Sequence, residues 1–392
     1  SRIKPSMTVG INNKANALRS EGKDILVLAA GEPDFDTPLN IRKAALEAME
    51  QGLTRYVPGK GTPALQKAII SKFKNDNNID YSEDEIMVGV GGKHIIYNAM
   101  MATLNPGDEV IIPAPYWVSY PDIVLLAEGK PVIVKCSEKN DFKLTPYDLE
   151  KYITPKTKWL FLNSPSNPTG SVYSKEELMH LGQILLKYPN IYILTDDIYE
   201  KIIYDKQKFN TIAETVPELK SRTLTLNGVS KAYCMTGWRL GYCGAPKEII
   251  LGMNKIQSQS NSSTSSISMA ASVEALQGNQ DFIEKHNIAF KKRRDLVVEK
   301  LNSIDGISCG IPPGAFYVYP NCEGIIGRKT PDGIILDSDE KFMNYLLESR
   351  GVAGVQGEAF GLSPYFRLSY ATSEKILIEA CQRIDEACKL LK

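Results

Sequence analysis

The sequence predicts an α/β protein, with a large domain built on a mostly parallel sheet and a smaller α+β domain. Short apolar runs alternate with segments of helical periodicity, which is the pattern of a parallel α/β sheet. Polar or glycine-rich residues follow each apolar run. The chain has 392 residues, more than the roughly 250–300 at which one hydrophobic core stops growing. Two domains are therefore expected.

Buried strands are predicted, in chain order, at 85–90, 109–113, 158–163, 191–195 and 222–227. The Ser-rich stretch 258–268 is predicted to be an ordinary loop. Beyond Phe290 the pattern changes to a charged helix, separate strands at 314–320 and 366–371, and a closing helix from Ser373. This change predicts the smaller α+β unit.

The composition argues against several classes of protein. Lys plus Arg and Asp plus Glu both number 46, so the chain lacks the basic excess of a nucleic-acid binder. No apolar run approaches the roughly 18 residues of a membrane span, and the first residues are polar, unlike a signal peptide. Seven cysteines without a Cys-x-x-Cys pair, and three scattered histidines, suggest neither a zinc site nor a disulfide framework. We expect a cytoplasmic protein that acts on small molecules.

The segments that follow the predicted strands are 91–93, 115–117, 164–170, 196–199 and 230–239. Open α/β sheets bind ligands at the carboxyl ends of their strands. We therefore expect these loops to converge on one site, although no single loop is a specific motif. The segment 91–93 fails both the Gly-x-Gly-x-x-Gly and the Walker patterns, which weakens dinucleotide binding and nucleotide hydrolysis.

Lys231 and Arg239 lie eight positions apart in the last of these loops. Eight extended residues would span roughly 26 Å, so the segment must fold back to hold one small ligand, and Gly237 is expected to permit this. A lysine amine forms an imine with an aldehyde only when it is neutral, and the nearby arginine favours that state. The pair suits an aldehyde cofactor that carries a phosphate. Plain solvation of the lysine is the alternative.

Asp196, Tyr199 and Asn167 could face the same ligand. A buried carboxylate that follows a strand costs free energy unless it is paired, and a protonated pyridine nitrogen would be a suitable partner for Asp196. The alternative for Asp196 is a helix N-cap. Its neighbour Asp197 is expected to be structural. Tyr199 lies three residues on and could contact a ring hydroxyl. Asn167 lies in a segment fixed by prolines, where simple turn chemistry is the alternative.

Further candidates can each be interpreted either as ligand-binding residues or as ordinary structural ones. The amides of 91–93 precede a predicted helix at 94–104 and could bind phosphate. Trp117 could stack on an aromatic ring or lie half-buried in the core. Arg367 alternates with apolar neighbours in a strand and could hold a carboxylate, or lie on a solvated sheet face. The basic run 291–294 is predicted to be a solvated helix face.

Together these segments resemble the fold-type I pyridoxal-phosphate aminotransferases nearly end to end, from 4–6 through 30–35 to Arg367. The segments 115–120 and 235–239 are similar to those of prokaryotic-type aspartate aminotransferases of class I. We divide the chain into residues 1–40, an N-terminal part of the small domain, 41–290, the large cofactor-binding domain, and 291–392, the C-terminal small domain.

The resemblance implies that Lys231 holds pyridoxal 5'-phosphate as an imine and shuttles the proton between the substrate α-carbon and the cofactor. It further implies that Asp196 pairs with the pyridine nitrogen, Tyr199 and Asn167 contact the ring oxygen, and Trp117 stacks on the ring. No metal is implied.

By the same resemblance, Arg239, the amides of Gly92 and Lys93, and the partner subunit's Tyr56 hold the phosphate, which implies an obligate homodimer. Substrate-binding roles are implied for Gly31 and Arg367, at the α-carboxylate, and for Lys93, at a second carboxylate. Trp117 and Asn167 also face substrate. Lys4 matches a position linked to prephenate in relatives.

The implied activity is aspartate aminotransferase: L-aspartate gives its amino group to the cofactor, and 2-oxoglutarate takes it up in a ping-pong exchange. Alternatives are other preferred substrates, such as prephenate, aromatic amino acids or alanine, a β-elimination reaction, or a non-catalytic cofactor-sensing domain. The last would need a DNA-binding module, and we expect none before Lys4. The chain departs from the family at Gly228, where a serine often binds phosphate, and in the loop 356–361 near the substrate.

Overall fold

The computed structural model describes residues 2–392. The α-helices are α1 (Met7–Ser20), α2 (Leu39–Glu50), α3 (Pro63–Asn77), α4 (Gly92–Thr103), α5 (Ser119–Leu126), α6 (Pro146–Tyr152), α7 (Lys175–Leu186), α8 (Ile212–Thr215), α9 (Lys247–Ser260), α10 (Ser266–Gln277), α11 (Asp281–Asn302), α12 (Asp339–Arg350) and α13 (Glu374–Lys389). The strands are β1 (Leu26–Val27), β2 (Ile86–Gly89), β3 (Glu109–Ala114), β4 (Lys130–Lys135), β5 (Thr157–Asn163), β6 (Tyr192–Asp196), β7 (Thr223–Gly228), β8 (Gly241–Gly244), β9 (Tyr317–Val318), β10 (Val352–Ala353), β11 (Val355–Gln356) and β12 (Phe366–Ser369).

The large sheet has the strand order β2-β8-β7-β6-β5-β3-β4. Its strands are parallel except β8, which pairs antiparallel with both β2 and β7. One face packs against apolar residues of α4, α5 and α9, and the other against α6, α7 and α8. Burial on both faces explains why these strands are continuous apolar runs. The predicted α/β class with a mostly parallel sheet is confirmed.

Each predicted strand of the large sheet has a counterpart among β2, β3, β5, β6 and β7, with ends that differ by at most one residue. Two strands were missed. The β8 strand begins and ends in glycine, which weakens a strand pattern. The β4 strand lies at the edge of the sheet, includes Pro131, and begins and ends in exposed lysines, so its sequence does not show a buried run.

A smaller group of strands combines four from the C-terminal part of the chain with the N-terminal β1. The sheet β11-β12-β9 is antiparallel, and β1 pairs in parallel with β10. The strands predicted at 314–320 and 366–371 are shorter than expected, since β9 spans only Tyr317–Val318 and β12 ends at Ser369. Pro320 limits β9 on its C-terminal side because proline lacks the N–H donor that a ladder needs. The exact division into domains stays a prediction.

The prediction of a loop over 258–268 is wrong for most of that stretch. Helix α9 continues to Ser260 and α10 begins at Ser266. The Ser265 side chain accepts a hydrogen bond from the amide of Ser268 and so caps α10. A Ser-rich composition therefore marked a helix start here and not an extended loop.

The basic run 291–294 is not a solvated helix face throughout. The Arg293 side chain is 11% exposed and the Arg294 side chain is 2% exposed. Arg294 donates to Asp205 at 2.5 Å and to the carbonyl of Pro312 at 3.0 Å. Long arginine stems cover apolar surface while their charged ends find partners, and a charge count along the sequence does not show this.

Within residues 2–392, no helix combines the length and apolar character that a membrane crossing requires. The seven cysteines are all buried and unpaired.

Candidate active site

A cavity of about 410 Å³ lies at the carboxyl ends of the central strands. Its volume is in the range of small-molecule sites. The predicted residues that line it are Gly31, Gly92, Lys93, Trp117, Asn167, Asp196, Tyr199, Lys231, Arg239 and Arg367. Tyr56 and Lys4 do not line the cavity; Tyr56 is 96% exposed and Lys4 is also exposed. The loops after the predicted strands thus converge, as β-sheet topology requires.

The Lys231 amine lies inside this cavity. Its Nζ donates to the carbonyl of Gly31 at 2.5 Å and lies 5.6 Å from the centre of the Tyr199 ring. Burial, followed by the positive charge of Arg367, lowers the pKa of Lys231 to about 8. A sizeable fraction of the amine is therefore neutral near physiological pH, which is the state that attacks a carbonyl.

The reversal of the chain after Lys231 occurs at residues other than the glycine to which the sequence analysis assigned it. Cys234 and Arg239 have left-handed backbone conformations, with φ of 54° each, whereas Gly237 does not. The prediction that Gly237 permits the reversal is therefore wrong. Gly237 lies in a 3-10 turn at Thr236–Trp238, and the hydrogen bonds around this turn hold the two strained residues in place.

Asp196 ends β6 with its carboxylate buried, the residue being only 5% exposed. The Tyr120 hydroxyl donates to Oδ2 at 2.7 Å, and the amide of Ile198 donates to Oδ1 at 3.3 Å. Burial raises the pKa of Asp196 to about 6, although both hydrogen bonds oppose the rise. A cationic N–H in the cavity would stabilise the charged form. Tyr120 was not singled out from the sequence.

Arg367 is buried, at 2% exposure, so the alternative of a solvated sheet face is wrong. Its Nη1 donates to Oδ1 of Asn167 at 2.8 Å and its Nη2 to the carbonyl of Ala29 at 2.7 Å. Its Nε has no partner in the described structure. An unpaired donor on a buried cation is costly, so this guanidinium is suited to an anionic ligand.

Tyr199 and Tyr317 share a hydrogen bond between their hydroxyls at 2.8 Å. Both line the cavity, and the Arg367 guanidinium lies 4.5 Å from the centre of the Tyr317 ring. Tyr317 comes from β9 of the C-terminal part of the chain, and no motif pointed to it. Thr8 and Asn12 of α1 also line the cavity and were missed.

An anion-binding arrangement lies where α4 begins. Gly91 has φ of 80°, and a Cβ there would lie 2.4 Å from Nη2 of Arg239. Glycine is therefore needed for the guanidinium to approach the helix N-terminus. Arg239 Nη1 donates to the carbonyl of Thr236 at 2.9 Å. Amides at the start of a helix and a guanidinium together favour a phosphate group.

The family model for class I and II aminotransferases matches residues 23–384. The chain belongs to this family. The aminotransferase is 55% identical, over 100% of its own length and 98% of the relative, to a probable aspartate/prephenate aminotransferase of Rhizobium leguminosarum bv. phaseoli. It is 53% identical to an aspartate/prephenate aminotransferase of Cereibacter sphaeroides, over 99% of its own length and 97% of the relative.

Solved structures give the same result for the fold. The aminotransferase superposes with a TM-score of 0.97 on the aspartate aminotransferase of Rhizobium meliloti, with 52% identity and coverage of 100% of this chain and 99% of that one. The aspartate aminotransferase of Thermus thermophilus with maleate gives a TM-score of 0.92 at 40% identity, with coverage of 98% and 97%. These matches confirm the resemblance, the fold-type I architecture and a transaminase activity.

Proposed function

We propose that this aminotransferase binds pyridoxal 5'-phosphate and transfers the amino group of L-aspartate to 2-oxoglutarate, giving oxaloacetate and L-glutamate by a ping-pong exchange. The observation that carries the proposal is that Lys231, with its lowered pKa, shares one cavity with an anion-binding arrangement at α4. The names of the relatives as aspartate aminotransferases support the substrate. The Thermus structure was solved with maleate, which is a dicarboxylate like aspartate.

The residues of the cavity fit the cofactor. Arg239 and the amides of Gly92 and Lys93 would hold its phosphate, and the buried Asp196 would pair with its pyridine nitrogen. Tyr199 and Asn167 would contact the ring oxygen, and Trp117 would stack on the ring. When bound, the cofactor supplies an electrophilic aldehyde carbon and a ring that accepts electrons from the substrate carbon.

The protein's own part in the reaction is proton movement and positioning. We assign Lys231 Nζ as the base that takes the proton from the substrate α-carbon and returns it to the cofactor carbon. Its hydrogen bond to the carbonyl of Gly31 holds the amine beside the cavity. Arg367 Nε and the Gly31 backbone would receive the α-carboxylate, which would satisfy the unpaired Nε donor.

Lys93 would meet the second carboxylate of a dicarboxylic substrate. Its Nζ lies 5.1 Å from the centre of the Trp117 ring, at the side of the cavity. Prephenate is a second candidate amino acceptor, because close relatives are named aspartate/prephenate aminotransferases. Lys4 would contribute to that activity from the N-terminal segment, whose helix α1 supplies Thr8 and Asn12 to the cavity.

A homodimer completes this proposal. Tyr56 is 96% exposed, and the exposed apolar side chains of the preceding segment are Leu39, Leu46, Met49 and Leu53. An apolar surface of this kind marks an interface, and the partner subunit's Tyr56 would contact the cofactor phosphate. Sedimentation equilibrium that gives a single 43.5 kDa species at assay concentrations would reject the dimer.

The buried, unpaired thiols support a reducing compartment, which we take to be the cytoplasm.

The deciding experiment is the absorbance spectrum of the cofactor-loaded protein before and after excess L-aspartate, without a keto acid. Half of the exchange then converts the aldehyde form of the cofactor to its amine form. Prephenate or 2-oxoglutarate added to the amine form should restore the first spectrum if it is an acceptor. A loaded protein whose spectrum does not respond to L-aspartate would keep the cofactor assignment and reject the donor.

Replacement of Arg367 with lysine should raise KM for L-aspartate roughly 100-fold, with a smaller change in kcat. Lysine keeps the charge but loses the planar fork, so the carboxylate and Asn167 can no longer be held together. Steady-state kinetics over a range of aspartate concentrations would measure this. The control is Arg328→Lys, at a surface pair with Asp305. An unchanged KM would place the α-carboxylate elsewhere.

The rate at which the cofactor-free protein captures pyridoxal 5'-phosphate should rise with pH through a midpoint near 8. Only the neutral amine attacks the aldehyde, and the lowered pKa of Lys231 makes it neutral well below the usual 10.5. Stopped-flow absorbance at several pH values would give the midpoint. Arg367→Gln should move it upward, because the variant removes a neighbouring positive charge. A midpoint above 10 would show an ordinary lysine environment.

A further inference from the structure

The loop of residues 31–37 carries Gly31 to the cavity without regular secondary structure. On one side it is tied to the turn after Lys231. Thr37 donates to the carbonyl of Cys234 at 2.6 Å, and the Trp238 indole donates to Thr37 at 3.0 Å. The Thr236 hydroxyl donates to Glu32 at 2.8 Å. These bonds fix the C-terminal end of the 31–37 loop and its Glu32 side chain against the lysine-bearing turn.

On the other side, the 31–37 loop is held by α11. Both Nη atoms of Arg293 donate to the Asp34 carboxylate, at 2.7 and 3.0 Å. The guanidinium carbon lies 5.1 Å from the centre of the Phe35 ring, and Phe35 stacks on His286 at 3.9 Å between ring centres. The side chains of Arg293 and Asp34 are 11% and 29% exposed. A two-pronged ion pair of an arginine and a carboxylate fixes orientation as well as distance.

We propose that Arg293 is a positioning residue, which acts through Asp34 to set the place of Gly31 in the cavity. Only Glu32 and Pro33 separate Gly31 from Asp34, and proline limits the backbone between them. The space for movement is small, because a Cβ on Gly31 would lie 2.8 Å from the Tyr317 hydroxyl. An ångström of displacement there would separate the Gly31 backbone from both Lys231 Nζ and the bound substrate.

This inference rests on the proposed function, in which Gly31 receives the substrate carboxylate. The cofactor contacts come from other elements: the start of α4, the end of β6 and the Lys231 turn. Loss of the Arg293–Asp34 pair should therefore weaken substrate binding and leave cofactor binding nearly unchanged. A role limited to stabilising the fold would lower the unfolding temperature without changing KM.

The test compares Arg293→Gln, Arg293→Lys, Asp34→Asn and the double variant Arg293→Gln/Asp34→Asn. The control is Lys292→Gln on the same helix, at a surface pair with Glu374 in which the lysine is 70% exposed. We measure kcat and KM for L-aspartate, unfolding temperature, and the dissociation constant of pyridoxal 5'-phosphate by titration of the cofactor-free protein. If L-aspartate is not a donor, only the proposed substrate is rejected. The same kcat and KM measurements are then made with the amino donor that the protein does accept.

Arg293→Gln and Asp34→Asn should each raise KM about 10-fold or more, with the cofactor dissociation constant within about twofold of wild type. Arg293→Lys should recover part of the loss, and the double variant should be no worse than the stronger single variant. The proposal is overturned if KM in both single variants stays within twofold of Lys292→Gln, or if their effects multiply in the double variant. Because the two single variants alter opposite partners, failure of one to fold leaves the other as a test.

Discussion

Replacement of Lys231 with alanine is expected to lower kcat by about 10⁴-fold or more. The amine is proposed both to attack the cofactor aldehyde and to move the α-proton, and positioned proton transfer alone contributes about 10²–10⁴-fold. Of the other described residues that line the cavity, Tyr199 has its ring centre 5.6 Å from Lys231 Nζ. The Tyr199 hydroxyl is a poor base, because burial holds the pKa of Tyr199 well above its usual value.

Single-turnover absorbance and steady-state rates would measure the loss, with Lys187→Ala as the control. Lys187 forms a surface pair with Glu150 at 2.9 Å, its side chain is 57% exposed, and it is not among the residues that line the cavity. The control should keep wild-type kcat. If Lys231→Ala retained more than about 1% of wild-type kcat, another group would be moving the proton and the proposed role of Lys231 would be wrong.

Replacement of Lys72 with methionine is expected to lower the free energy of unfolding by about 3–5 kcal/mol. The side chains of Lys72 and Glu200 form a salt bridge and are 2% and 6% exposed. Asn77 closes the group, since it accepts from Lys72 at 2.6 Å and donates to Glu200 at 3.0 Å. Methionine would leave the Glu200 carboxylate buried without a cation, directly after Tyr199 in the turn that follows β6.

Urea unfolding at matched protein concentration, with the cofactor saturating, would measure this change. Lys74→Met on the same helix is the control, because the Lys74–Asp80 pair has side chains 52% and 79% exposed and such pairs contribute less than about 1 kcal/mol. The double variant Lys72→Met/Glu200→Met should recover much of the stability, since it removes both buried charges. Equal effects of Lys72→Met and Lys74→Met would mean that water reaches the pair.

Much of the cavity could be predicted from the sequence because its residues follow buried strands. The carboxyl ends of parallel strands share one edge of a sheet, so Asp196 at the end of β6 and Asn167 after β5 had to lie close together. Lys231 follows β7 for the same reason. Their individual roles stay predictions, but their convergence in one cavity follows from the order of apolar runs alone.

Other features depend on contacts between distant parts of the chain. Tyr199 and Tyr317 meet across 118 positions, and Arg293 and Asp34 across 259. The local sequence around one residue of such a pair does not indicate its distant partner. Arg293 was therefore predicted to lie on a solvated helix face. Tyr120 is different: it lies one helical turn after Trp117, and their ring centres are 5.4 Å apart. The helical period could have indicated it.

The pairing of β1 with β10 joins two segments that the ribosome makes far apart in time. Leu26 aligns with Val352, and the Leu28 amide donates to the carbonyl of Ala353. Because domains form from the N-terminus onward during synthesis, β1 stays unpaired until more than three hundred further residues, up to β10, have been made. Arg367 lies beyond β10 and is made later still, so the large sheet and Lys231 are synthesised before the guanidinium that we propose binds the α-carboxylate of an amino acid.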